Sequence, residues 1–367
     1  MLVYIILFLF LLLIIFPDMP QRNTLLVCSV VFMFLIGMFR SMSVGTDNLI
    51  YSETFYTTTW ESIFNKSDGI GETDFEIGYS VWIVLFRNFI CDEYIAFMSV
   101  SFFITMSLFL SAIKRSKELY LSLFLFYALS FYFLSFNIMR QMMGCALILS
   151  LLPFFVRKQI GVVAYSIWIF LISFGFHKSL IVFFLVILIV QTPIVDYLVR
   201  KKTLISIAVF SIFVLAGVSS LQDIITSIRE FFILMGNERY AEYLSPDNLG
   251  ESSVSFFSSF IKLGFLIFLI VISPINILKS FSFIGLYLSV CISNILGSIS
   301  VLFTRISTNL EIMFIFFIPF LYVTLEQNKE KKMLIMVTIG YSTTFFLNYL
   351  LKGYAGVVPY NTFLLDF

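Results

Sequence analysis

Three arginines, two carboxylates and the only histidine stand out in an otherwise largely apolar chain: Arg40, Arg140, Arg305, Asp47, Glu76 and His177. A guanidinium stays charged at any physiological pH and offers a planar fork of donors that matches phosphate oxygens. Three such groups at one depth would suit a diphosphate. The bland alternative for each is that it snorkels to the interface or to lipid headgroups. Asp47 follows Gly45 and Thr46, and Glu76 precedes Ile77, Gly78 and Tyr79. Either could act as a general base that takes a proton from an attacking hydroxyl. Alternatively, Asp47 caps a loop helix and Glu76 favours the positive end of a helix dipole. His177 lies between Phe176 and Lys178, with no second His or Cys nearby to complete a zinc site. It is either a hydrogen-bonded packing residue or a group for acid–base work or phosphate contact. Asn137 and Gln141 flank Arg140, and Lys178 follows His177, so these could orient a bound group.

The elements that must position these residues are set by composition. Of 367 residues, 60% are hydrophobic and 12% charged, with 47 Phe and a mean hydropathy of +1.01. Lipid must be the solvent of such a chain. Crossing the hydrocarbon core takes roughly 20 apolar residues, and runs of about that length recur throughout, giving about twelve candidate spans. They centre near Phe8, Phe32, Phe103, Tyr127, Leu147, Trp168, Leu185, Phe210, Ile267, Val290, Phe316 and Thr338. The segment from Gly78 to Ile90 is shorter and amphipathic, and reads as a re-entrant or interfacial helix or as part of the third span. Residues 1–16 lack a basic leader region and read as a retained helix. The expectation is one all-α polytopic transmembrane domain over 1–367.

Basic clusters fall in alternate loops: Lys114, Arg115 and Lys117; Arg157 and Lys158; Arg200, Lys201 and Lys202; Lys329, Lys331 and Lys332. The positive-inside rule assigns those loops to the cytoplasm, with both termini outside. Two outer loops, 40–78 and 220–255, are too long for tight connectors, and loops of that length are usually functional or disordered. Each contains aromatics at helical spacing, Tyr51 with Phe55 and Tyr240 with Tyr243, which favours ordered helices lying on the bundle. The candidate residues collect at this outer level. Cys28, Cys91, Cys145 and Cys291 are scattered and read as small core residues. A net charge of +1 gives no hint of nucleic acid. No Walker A loop, dinucleotide glycine fingerprint or GxSxG elbow occurs, so no cofactor is expected and the substrate arrives already activated on a lipid.

The motif series resembles the EpsG-like branch of the Wzy polysaccharide polymerases. Its pieces are Arg40 with Gly45-Thr46-Asp47 and Tyr51, Glu76-Ile77-Gly78-Tyr79, Asn137-Ile138-Met139-Arg140-Gln141, and Phe176-His177-Lys178-Ser179. Arg239-Tyr240, Arg305 and the tail Val358-Pro359-Tyr360 follow in the expected order. The resemblance implies a bundle of the GT-C-like membrane glycosyltransferase type, in the bacterial inner membrane and active on its outer face. It implies transfer of a glycan from undecaprenyl diphosphate to the terminal sugar of a second lipid-linked repeat, as in O-antigen polymerisation. Arg40, Arg140 and Arg305 would hold the diphosphate, Asp47 or Glu76 would deprotonate the acceptor, and His177, Asn137, Gln141, Lys178, Arg239 and Tyr240 would assist. The expected partners are the lipid-linked donor and acceptor and membrane lipid, with room for a chain-length regulator protein. An O-antigen ligase is the nearest rival, since it takes the same donor on the same face. A flippase would place its charges in a mid-membrane cavity. A small-solute transporter would show mid-span breaks, for which Pro153 and Pro319 are modest candidates.

Overall fold

The structure is a computed structural model and describes residues 1–64, 75–201, 229–230, 233, 256–296 and 301–365. Among these the chain is helical, with no strand beyond an isolated bridge between Arg40 and Thr362. Among the described residues four helices are long and apolar enough to cross a membrane, or up to five if one bent pair is a single span. Six shorter apolar helices accompany them. The protein is therefore a polytopic all-α membrane protein. Each expected span centre except Phe210, which is outside the described residues, falls within one of these helices.

Two compact units divide the chain, one of Met1–Ile181 with Ile318–Phe367 and the other of Val182–Phe317. In the first, α1 (Leu2–Leu13), α2 (Arg22–Met38), α3 (Asn48–Thr57), α4 (Trp60–Phe64), α5 (Ile77–Phe89) and α6 (Tyr94–Lys114) precede a bent pair. That pair is α7 (Leu119–Ala128) and α8 (Phe131–Asn137). Every residue from Leu121 to Phe133 is buried, so α7 and the start of α8 are apolar all round and form the centre of this unit. The bend is 49°, at Leu129 and Ser130. Ser130 sits at φ 66, a left-handed conformation that a helix cannot continue through. Next come α9 (Met139–Val156) and α10 (Val162–Gly175). The second unit has α11 (Val182–Val190), α12 (Pro193–Arg200), α13 (Phe256–Ile272), α14 (Phe281–Ile295) and α15 (Val301–Glu311). The chain continues through α16 (Phe314–Thr324) and the long α17 (Asn328–Leu351).

The first unit sorts its polar groups to its two ends. At one end Arg22 donates to the carbonyl of Ile14 at 2.6 Å, pairs with Glu118 at 3.5 Å and lies over the Tyr120 ring at 3.4 Å. Glu118 in turn caps α7 by accepting from Leu121 N–H at 2.6 Å. At the other end lie Arg40, the turn through Asp47, and the residues that begin α5 and α9.

That second end is roofed by α3, which reads in the sequence as an aromatic loop helix. It lays Tyr51 and Phe55 into a cluster with Tyr79, Phe86, Tyr94, Phe97 and Met143. Arg87, in the last turn of α5, donates to the carbonyls of Phe55 (2.6 Å), Tyr56 (2.9 Å) and Thr58. One side chain thus satisfies the carbonyls that the end of α3 leaves open. The amphipathic segment from Gly78 is α5 itself, which is not among the helices apolar enough to span.

Contact between α5 and α10 depends on two glycines. A Cβ on Gly78 would lie 2.7 Å from the Gly175 carbonyl oxygen and 2.9 Å from its Cα, both backbone atoms that cannot turn aside. Gly78→Ala is therefore expected to cost about 1–3 kcal/mol through helix displacement. Gly340→Ala in α17, where nothing lies within 4 Å, should be neutral or gain about 0.5–1 kcal/mol. Thermal midpoints of the two variants in detergent check this, and equal midpoints would refute the close-approach argument.

Candidate functional site

The α5–α10 contact brings the start of α5 beside the loop that leaves α10. Glu76 immediately precedes α5, yet its carboxylate makes no capping bond to that helix. Its Oε1 accepts from Lys178 N–H at 3.2 Å and its Oε2 from Arg140 Nη1. The pair is largely withdrawn from solvent, with side-chain exposures of 13% for Arg140 and 9% for Glu76. Arg140 also lies 3.9 Å from the centre of the Phe75 ring, whose electron-rich face favours a cation. Tyr51 hydrogen-bonds the same guanidinium from α3. Burial pushes the Tyr51 hydroxyl above the ordinary phenol range, and the Arg140 charge pulls it partly back. The Nε of Arg140 makes no hydrogen bond among the described residues.

Beside this pair, His177 is buried and Lys178 exposed. Ser179 N–H donates to His177 Nδ1 at 3.3 Å, and Ser179 Oγ lies 2.7 Å from the same nitrogen. A backbone N–H can only donate, so Nδ1 accepts and the neutral ring carries its proton on Nε2. Gln141 is buried next to Arg140.

Asp47 immediately precedes α3, at its N-terminal cap, without capping it through its side chain. Its half-buried carboxylate has the Thr46 hydroxyl at 3.3 Å, a proton that Asn137 also claims at 2.7 Å, and no other hydrogen-bond donor among the described residues. Asn137, at the end of α8, holds this turn: its Oδ1 accepts from Thr46 Oγ1 at 2.7 Å and from Asp47 N–H at 2.9 Å. Asn48 braces it from within, donating to Val44 O at 2.7 Å and Met42 O at 3.2 Å while accepting from Tyr94 OH at 3.3 Å. Tyr51 lies within electrostatic reach of both Asp47 and Arg140.

Arg40 is placed differently from Arg140. It is fully buried beneath the turn, against the rings of Phe136 (4.8 Å) and Phe102 (5.4 Å), with Nη1 donating to Gly37 O. Its Nε and Nη2 make no hydrogen bond among the described residues, and burial pushes the guanidinium down to about 10. It presents no atom to solvent, whereas the sequence pattern has it gripping a diphosphate directly.

Within the first unit, then, Asp47, Glu76, Asn137, Arg140, Gln141, His177 and Lys178 come to one end. Arg305 belongs to the second unit, on α15, where Lys262 and Glu311 form an ion pair at 2.8 Å. Arg239 and Tyr240 lie outside the described residues. Sequence reasoning passed over Asn48, Phe75 and Arg87. The signal for Phe75 was its place beside Glu76, but an arginine that serves only carbonyls, like Arg87, leaves no partner residue to notice.

Glu76→Gln and Arg140→Met should each destabilise the protein more than the double variant accounts for, because each alone strands a partly buried charge. A double-mutant cycle of thermal stabilities is expected to give a coupling of about 1–3 kcal/mol, and additive effects would show that the pair does not bind.

The sequence model of the EpsG family matches residues 23–362, nearly the whole chain. No curated protein and no solved structure matches it.

Proposed function

The chain belongs to the EpsG family, and from that premise we propose that it is a polysaccharide polymerase acting on undecaprenyl-diphosphate-linked repeats. The proposal includes about twelve spans, both termini outside, and a site on the outer face of the bacterial inner membrane. The observation that carries it is Arg140. Glu76, Tyr51 and the Phe75 ring hold its guanidinium in place, while part of the side chain stays open to solvent.

In this reading a sugar hydroxyl of the acceptor attacks the anomeric carbon of the donor. The bond from that carbon to the diphosphate oxygen breaks, and undecaprenyl diphosphate leaves with the bonding electrons. Arg140 stabilises the charge that develops on the leaving oxygen, with Lys178 exposed nearby in the segment that follows α10. Arg305 enters as a further diphosphate ligand from the sequence pattern alone. The acceptor's proton goes to a carboxylate. Asp47 suits that task better than Glu76, since both Glu76 oxygens already accept hydrogen bonds whereas Asp47, among the described residues, competes with Asn137 for one threonine hydroxyl. Glu76 then serves to hold Arg140, and His177 and Gln141 orient the sugar or the phosphate. Arg40 supports the turn from below.

Asp47→Asn is expected to lower turnover on purified lipid-linked repeats by about 10²–10⁴-fold, the usual worth of a general base. Arg140→Ala and Arg305→Ala should each abolish long-chain polymer in cells while the protein still accumulates in the membrane. Arg140→Lys should restore it only in part, because an ammonium lacks the planar fork. Normal chain-length ladders from Arg140→Ala would sink the diphosphate grip, and wild-type turnover by Asp47→Asn would remove the base.

A further inference from the structure

The turn that carries Asp47 is held along three successive backbone N–H groups, and two of them are bound by the far end of the chain. Gly45 N–H donates to Gly356 O at 3.2 Å and Thr46 N–H to Ala355 O at 3.3 Å, while Asp47 N–H goes to Asn137. The turn takes a shape open to glycine alone. Gly45 has φ +116, and a Cβ there would lie 2.7 Å from the Phe136 carbonyl oxygen. The tail is shaped to match: Gly353, Ala355 and Gly356 all have positive φ, a conformation that an alanine adopts at a cost of about 1 kcal/mol or more. Further along, Ser41 N–H donates to Asn361 O at 2.9 Å, Thr362 Oγ1 to Phe39 O at 2.6 Å, and Tyr360 OH to Ile36 O at 3.0 Å. The first helix secures the tail from behind, with Tyr4 OH donating to Val357 O at 3.1 Å.

We propose that the segment 354–362 is a positioning element of the reaction: it fixes the Gly45-Thr46-Asp47 turn and so aims the Asp47 carboxylate. This rests on the reading of Asp47 as the base. Asp47 makes no capping bond of its own, so its direction is set by the backbone beneath it, and that backbone is set by the tail and Asn137. The tail stays in place through the cycle, as its bonds to buried carbonyls at the end of α2 require.

The test uses the full-length protein, a chain ending at Gly353, and a Ser43→Cys, Asn361→Cys double variant, whose native side chains approach to 3.2 Å. Each is reconstituted with lipid-linked repeats. The shortened chain is expected to lose about tenfold or more in kcat with little change in KM for the donor, because aim is lost and binding is not. A synthetic peptide of residues 354–365 added in trans should restore part of that loss. The oxidised double variant should keep the kcat of its reduced form. Wild-type kcat from the shortened chain overturns the proposal. So does an oxidised double variant that is inactive until reduced, since the tail would then have to move away. If the shortened chain fails to accumulate, the disulfide comparison decides alone. An inactive Asp47→Asn beside a fully active shortened chain removes this inference and leaves the proposed function standing. A fully active Asp47→Asn removes this inference together with the base, and leaves the diphosphate grip of Arg140 to its own test.

Discussion

Arg140 carries a full positive charge at a depth where little water reaches it, and the first unit is arranged to hold that charge. An isolated buried guanidinium would cost several kcal/mol in lost solvation. Here the cost is offset by the Glu76 carboxylate, the Tyr51 hydroxyl and the face of Phe75. Those partners come from two separate segments, α3 and the residues that lead into α5, so the charge dictates where both lie. Tyr51 requires α3 to fold over the bundle end, which Arg87 secures by binding the carbonyls at the end of that helix. Glu76 requires the start of α5 to meet the loop after α10, and the Gly78–Gly175 approach allows it.

Arg40 shows the same chemistry put to another use. It too is a buried guanidinium, but it has aromatic rings and no carboxylate where Arg140 has both, and the tail bridges to it at Thr362. Two arginines of similar sequence context thus part company once burial is known: Arg140 pairs with a carboxylate and keeps part of its side chain exposed, whereas Arg40 is fully enclosed. The difference lies in long-range partners. Glu76 precedes Arg140 by 64 positions, and Thr362 follows Arg40 by 322.

Much of this was legible in the sequence, for definable reasons. Apolar runs revealed the helical membrane class, because a lipid solvent leaves few other ways to satisfy the backbone. The spacing of Tyr51 and Phe55 announced α3. Asp47, Asn137, Arg140 and His177 could be picked out because polar groups near helix ends in an apolar chain are conspicuous. Their pairing was not legible: nothing local tells that Glu76 is held by Arg140 while Asp47 is nearly unengaged, or that the carbonyls of Ala355 and Gly356 bind the turn at Gly45. The bend at Ser130 was equally hidden, since serine carries no mark of a left-handed conformation. Backbone-to-backbone contacts between distant segments depend on no residue type and so leave no trace in a sequence.

The proposed transfer of a glycan off a lipid diphosphate onto another repeat can be measured by reconstituting the purified protein in liposomes with an undecaprenyl-diphosphate-linked repeat as the only substrate, and counting released undecaprenyl diphosphate against chain growth. One lipid diphosphate released for each new glycosidic bond, with products of several repeats, is the predicted result. No release, or release only when a lipid A-core acceptor is supplied, would contradict it.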